Sequence, residues 1–153
     1  MLNILVTILL LQIAYIDHKT MKIPDKLNFA LGVCGLVSCI QNTDITITDR
    51  IFGFSIISVP LYILCLVIPE AFGGGDIKLT AVMGFYLGWK RMLAGAYLSF
   101  LIGGVQAIWL LATKRLRKGE YAHMAFGPAL CLGMWLAMVW GNELIRQYFD
   151  FFI

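Results

Sequence analysis

Two carboxylates stand where carboxylates are expensive. Asp17 lies in "AYIDHKTMKIPD", at the end of the first apolar run, and Asp76 lies in "FGGGDIKL", at the start of a later one. An ionisable side chain at the edge of a membrane span points to function by default, although an interfacial charge bathed in headgroup water is the plainer reading of either residue alone. Together they offer a chemistry. Two carboxylates in contact cannot both ionise easily, so they share a proton. One then acts as general base on a water while the other donates a hydrogen bond to a carbonyl, which is aspartyl proteolysis. Competing chemistries lack residues. His18 and His123 have no evident nucleophile beside them, and neither an HExxH run nor a Cys/His cluster offers a metal site, so no metal and no cofactor are expected. Two other classes stay open. Asp17 and Asp76 would also serve as proton or coupling-ion sites of a small transporter, though no second half of the chain resembles the first. A non-catalytic partner in a secretion complex is the third.

The elements that must position these residues are apolar. The chain has 153 residues, 60% hydrophobic and 14% charged, with a mean hydropathy of +0.83. A soluble domain of this length carries about one-quarter charged residues, so the composition implies a polytopic membrane protein. Six spans are expected: 2–16, reaching toward Thr20, then 27–40, 51–68, 77–89, 92–112 and 124–141, the last followed by an aromatic tail, "RQYFDFFI". They must be helices, because lipid offers the backbone of short connected segments no other partner. The fold class is therefore all-α, with residues 1–153 forming a single membrane-embedded domain. The opening run lacks a basic start and a small-residue cleavage site, so it reads as a retained span and not a signal peptide. Cys34, Cys39, Cys65 and Cys131 lie inside apolar runs without CxxC spacing and read as packing residues. The net charge of +3 singles out no partner, and no nucleic-acid partner is expected.

Crossing a bilayer takes about 20 residues. The first and fourth spans are shorter, which draws Asp17 and Asp76 at their ends toward the apolar zone. Orientation follows from Lys and Arg. Lys19, Lys22, Lys26, Lys78, Lys114, Arg115, Arg117 and Lys118 fall on one side, against Arg50, Lys90, Arg91 and Arg146 on the other. The first side should be cytoplasmic, both carboxylates with it and both chain ends opposite. Pro24 breaks the chain and Asp25 is placed to cap the helix that follows. Pro60 should kink the third span. Gly84 and Gly88 should allow close helix contact, as should Gly103 and Gly104. Asp76, opening its span, should share in capping it. The glycines before it let a backbone approach closely. Helix dipoles should disfavour negative charge at Asp17, at a C-terminal end, and favour it at Asp76, so Asp17 is expected to hold the shared proton more often.

"GGGD" followed by "IKL", with "IDHKTMKIPD" earlier in the chain and "AFGPAL" at 125–130, resembles the type IV prepilin peptidase family, membrane aspartyl proteases of the GxGD kind. The presenilin and signal-peptide-peptidase kinds share the second motif. They are usually larger, however, and their first Asp is not followed by a basic loop ending in IPD. The resemblance implies that the basic leader is cut from type IV prepilins or pseudopilins at the cytoplasmic face of a bacterial inner membrane. It implies Asp17 and Asp76 as the catalytic pair and Gly73 and Gly75 as the GxGD turn. Asp25 and Lys78 match the family pattern as supporting residues. The residues themselves suggest a helix cap for Asp25. For Lys78 they suggest contact with lipid headgroups, or else support of the ionised pair. Many bacterial members carry a further N-terminal segment with paired CxxC motifs and methylate the new N-terminus. This chain has no CxxC, so a peptidase-only form without N-methylation is expected.

Overall fold

In the computed structural model, residues 1–42, 44–68, 72–112 and 125–152 are described. They form helices α1 (Leu2–Thr20), α2 (Asp25–Gln41), α3 (Ile47–Ile56), α4 (Ser58–Val67), α5 (Gly74–Leu87), α6 (Trp89–Ala112) and α7 (Gly127–Phe152), and no strand occurs among the described residues. α3 and α4 are two halves of one rod, interrupted at Ile57. The cause is Pro60, which has no N–H for the carbonyl four residues back and whose ring crowds that turn. The rod begins at Ile47, before the expected Ile51, because Thr46 caps it: Thr46 Oγ1 accepts from the Asp49 N–H at 3.1 Å and donates to Asp49 Oδ2 at 2.8 Å, a reciprocal cap of the first turn.

Six rods thus match the six expected spans. Four are long and apolar enough to cross a membrane: Leu2–Thr20, Ile47–Val67, Trp89–Leu110 and Gly127–Gln147. α2 has 17 residues and α5 has 14. The short α5 is central, packing against α2, α3, α4, α6 and α7, and it buries residues on all sides, from Asp76, Leu79 and Thr80 to Tyr86 and Leu87. A helix surrounded by other helices does not need to present a full bilayer thickness to lipid.

The bundle is inside-out by the standards of a soluble domain. Asp17, Asn28, Arg50, Asp76, Thr80 and Ser99 are buried, whereas Phe29, Ile40, Leu66 and Val67 are exposed. This distribution suits lipid, which accepts the apolar exterior and makes polar groups seek the interior. The core between them is apolar: Val6, Leu10 and Ile13 of α1, Leu79 and Met83 of α5, and Leu130 and Met134 of α7.

Successive rods run antiparallel, and polar contacts tie each end. At one end Tyr86 Oη donates to Asn3 Oδ1 at 2.6 Å, Trp89 Nε1 to Asp49 Oδ1 at 2.9 Å, and Arg91 Nε to Asn142 Oδ1 at 2.8 Å. Arg50 is buried there, 1% exposed. Its guanidinium donates to Ser38 Oγ at 2.7 Å and to the carbonyls of Ser38, Asn42, Phe85 and Tyr86 at 3.1–3.4 Å. A single cation thereby satisfies carbonyls at the C-terminal ends of both α2 and α5, where the helix dipoles favour positive charge. α3 crosses α5 backbone to backbone: a Cβ on Gly84 would strike the Gly53 carbonyl carbon at 2.6 Å. Gly88 joins that crossing, its carbonyl carbon 2.8 Å from where a Gly53 Cβ would be, and it also ends α5 with φ +76°, a conformation that favours glycine. Gly103 lies under the Phe126 ring, and Gly104 meets nothing.

Candidate functional site

The opposite end of the bundle collects Asp17, Asp25, Asp76, Lys78 and Gly127. Asp17 extends the buried face of α1 that carries Val6, Leu10 and Ile13, since residues three and four apart share one side of a helix. It is 5% exposed, and Asp76 is 9% exposed. Asp76 lies within electrostatic reach of Asp17, and Cys131, one turn into α7 from Gly127, lies within reach of both.

Asp17 Oδ2 accepts from the backbone N–H of Gly127 at 3.0 Å. Gly127 is the first residue of α7, so its N–H is one of the donors that a helix start leaves without an internal partner. A Cβ on Gly127 would fall 2.6 Å from the Asp17 Cγ, so the carboxylate rests directly on the helix start. This removes the expected electrostatic asymmetry. Asp17 does end α1, but it also sits at the positive end of the α7 dipole, and Asp76 occupies the first turn of α5. Both carboxylates are served by helix N-termini. Reasoning along the chain considered only each residue's own helix, and the partner that decides the matter lies 110 positions away. "AFGPAL" held the signal: a Gly-Pro pair opening a helix leaves the glycine N–H as the first free donor.

Asp76 shares in capping α5 from its third position, its carboxylate accepting from the Gly73 backbone N–H. Gly73 is the N-cap and Asp76 stands three residues later, with its Oδ2 3.4 Å from where a Gly73 Cβ would be. The three glycines differ in what they do. Gly75 admits the chain's own Ile23, whose Cβ would lie 2.8 Å from an added methyl, while Gly74 meets nothing. The close approach expected at this turn is therefore made by the segment between α1 and α2. That segment is bent into place by Met21, which closes α1 in the left-handed region at φ 52° with its N–H on the Asp17 carbonyl at 2.8 Å.

Asp25 is not the cap of α2. It is the first residue of that helix, Pro24 is the N-cap, and no side chain caps the turn. Its carboxylate instead pairs with Lys78 Nζ at 2.7 Å, because α2 and α5 start side by side. Lys78 thus has a protein partner where a lipid contact was expected. The pair is exposed and contributes little to stability, but it links the two helix starts beside Asp76. Asn28, one turn after Asp25, was missed in the sequence. It is 4% exposed, and its Nδ2 donates to the Gly75 carbonyl at 3.4 Å. From this end an apolar groove of about 730 Å³ runs between α2, α3 and α5, lined by Asn28, Phe29, Val33, Phe54, Val82 and Phe85 among others. Phe126, which precedes Gly127, packs edge-on against Phe72 and tilted against Phe100, with ring centres 5.6 Å apart in each case. The loop bearing Lys114, Arg115, Arg117 and Lys118 lies outside the described residues, as does His123.

Two buried carboxylates share this end of the bundle with no cation paired to either among the described residues, and burial without a counter-charge disfavours two negative charges there. Known proteins share this chain's pattern. A sequence model described as the type IV leader peptidase family matches residues 4–108. Three curated relatives are each named prepilin leader peptidase/N-methyltransferase. The one from Aeromonas hydrophila is 29% identical over 98% of this chain and 53% of its own length. The Pseudomonas aeruginosa protein is 30% identical over 93% of this chain and 50% of its own length. The Bacillus subtilis protein is 31% identical over 92% and 56% respectively. The chain thus spans about half the length of the curated relatives it matches. No solved structure matches it.

Proposed function

We propose, from the premise that this chain belongs to the type IV leader peptidase family, that it is an aspartyl endopeptidase whose catalytic pair is Asp17 and Asp76. The observation that carries the reading is the burial of these two carboxylates at one end of the bundle, with Asp76 within electrostatic reach of Asp17. One ionised and one protonated carboxyl is the state such a pair favours. The ionised member takes a proton from a water, and the water oxygen attacks the scissile carbonyl carbon. The protonated member donates its hydrogen to the carbonyl oxygen. When the tetrahedral intermediate collapses, the C–N bond breaks and a proton passes to the leaving nitrogen, giving one new carboxyl and one new amine. Either aspartate is suited to either role, since both rest at helix N-termini. Gly73 and Gly75 shape the turn before Asp76, and the Asp25–Lys78 pair steadies it against α2.

The substrates are prepilins or pseudopilins, with cleavage releasing the leader, in keeping with the names of the relatives. Residues 1–153 act as one peptidase unit in an inner membrane, in contact with lipid and with the site end facing the cytoplasm. Asp17→Asn and Asp76→Asn, each assayed in membranes on a synthetic prepilin, should each lower cleavage by several orders of magnitude at unchanged protein level. Normal cleavage by either variant would refute the pair. Ion flux through liposomes holding only this protein would favour transport instead.

A further inference from the structure

Among the described residues, Oδ1 of Asn28 is a buried side-chain polar atom with no hydrogen-bond partner. Its amide group has one bond, the 3.4 Å contact from Nδ2 to the Gly75 carbonyl. Stability alone does not explain an asparagine here. A buried acceptor left unpaired is unfavourable, and a hydrogen bond of this length returns little. Apart from the Asp25–Lys78 pair, the groove it lines is apolar, with Phe29 and Val82 among its residues, so a leucine could be accommodated there.

The contact has a specific target. The Gly75 carbonyl and the Asp76 nitrogen belong to one planar peptide unit, so whatever fixes that carbonyl fixes the direction in which Asp76 leaves the backbone. Two further contacts bracket the same turn: Ile23 against Gly75 and Asp25 with Lys78. The first limits approach and the second is exposed. Of the three, Asn28 alone bonds to the peptide unit itself, adding a second donor to a carbonyl that already accepts within α5.

We propose that Asn28 is a positioning residue for Asp76: its buried amide sets the peptide plane that aims the Asp76 carboxylate toward Asp17. The proposal rests on the reading of Asp76 as one of the proteolytic pair. Its test uses the full chain in detergent and a synthetic prepilin, with Asn28→Leu and Asp76→Asn compared with the parent. Misplacing a reacting group by about 1 Å costs on the order of 100-fold in rate. Asn28→Leu should therefore lose about tenfold or more in kcat with little change in KM. It should melt at or above the parent temperature, and its pH–rate profile should move, because the profile reports the mutual field of the two carboxylates. Asn28→Ala removes the same donor without adding bulk and should show the same kcat loss. Unchanged kcat and pH profile in both variants would overturn the proposal. A Leu variant melting well below the parent would also overturn it, assigning the amide to stability, and a change confined to KM would assign it to substrate binding in the groove. If Asp76→Asn itself cleaves, the proteolytic reading fails. If Asp76→Asn is inactive while both Asn28 variants match the parent, only the positioning role falls.

Discussion

A methyl group added at Gly127 would reach the Asp17 carboxylate. Gly127→Ala therefore tests the coupling of α1 to α7 with the smallest possible change. The added methyl should push Asp17 off its N–H donor, and an alanine before Pro128 also disfavours the helical backbone there, so some loss of stability should accompany it. Peptidase activity on a synthetic prepilin should fall by roughly tenfold to 100-fold at temperatures where the variant is still folded in detergent. That Asp17 and Asp76 turn inward was legible in the sequence, because both stand at the ends of short apolar spans and Asp17 falls in step with Val6, Leu10 and Ile13. The roles of Asp25 and Lys78 were not. Both were judged within their own helices, and the 2.7 Å pair between them exists only because α2 and α5 start side by side. Asn28 carried no signal, since one polar residue near a helix start is ordinary until its burial is known.

At the scale of elements, the helix count could be read from hydropathy, and Pro60 correctly announced a break. The start of α3 was misplaced because "TITD" was passed over as a cap. Arg50 was counted as a loop charge helping to set orientation, whereas it is buried and joins α2 to α5 through their terminal carbonyls. Nothing local distinguishes a lone arginine at an interface from one that turns inward. Arg50→Ala should destabilise the bundle by about 3 kcal/mol, the scale expected when a buried charged network loses its centre. Arg50→Lys should fall between, because an ammonium cannot span the same set of acceptors. Denaturant unfolding of the detergent-solubilised protein, followed by tryptophan fluorescence, measures both.

For the whole molecule, removing Arg50 from the loop charges leaves Lys90, Arg91 and Arg146 opposite the site end, which strengthens the charge bias for the proposed topology, with Asp17 and Asp76 at the cytoplasmic face. Cysteines introduced at Lys22 and at Asp44, in a background where Cys34, Cys39, Cys65 and Cys131 are replaced by serine or alanine, should report this. In intact cells a membrane-impermeant thiol reagent should label position 44 and spare position 22, and the reverse pattern would invert the topology. The antiparallel order of rods followed from counting successive spans that each cross the membrane. Which rod is central did not, because the brevity of α5 suggested a strained span and not a helix enclosed by others. The bond from Gly127 to Asp17 has a consequence for biosynthesis. Its partners are separated by 110 positions, and a ribosome adding about 5–20 residues per second takes several seconds to cover that distance. During that interval α1, α2 and α5 can already lie in the bilayer, but Asp17 lacks its donor. On the proteolytic reading proposed above, a chain arrested before α7 should therefore be inactive on a prepilin.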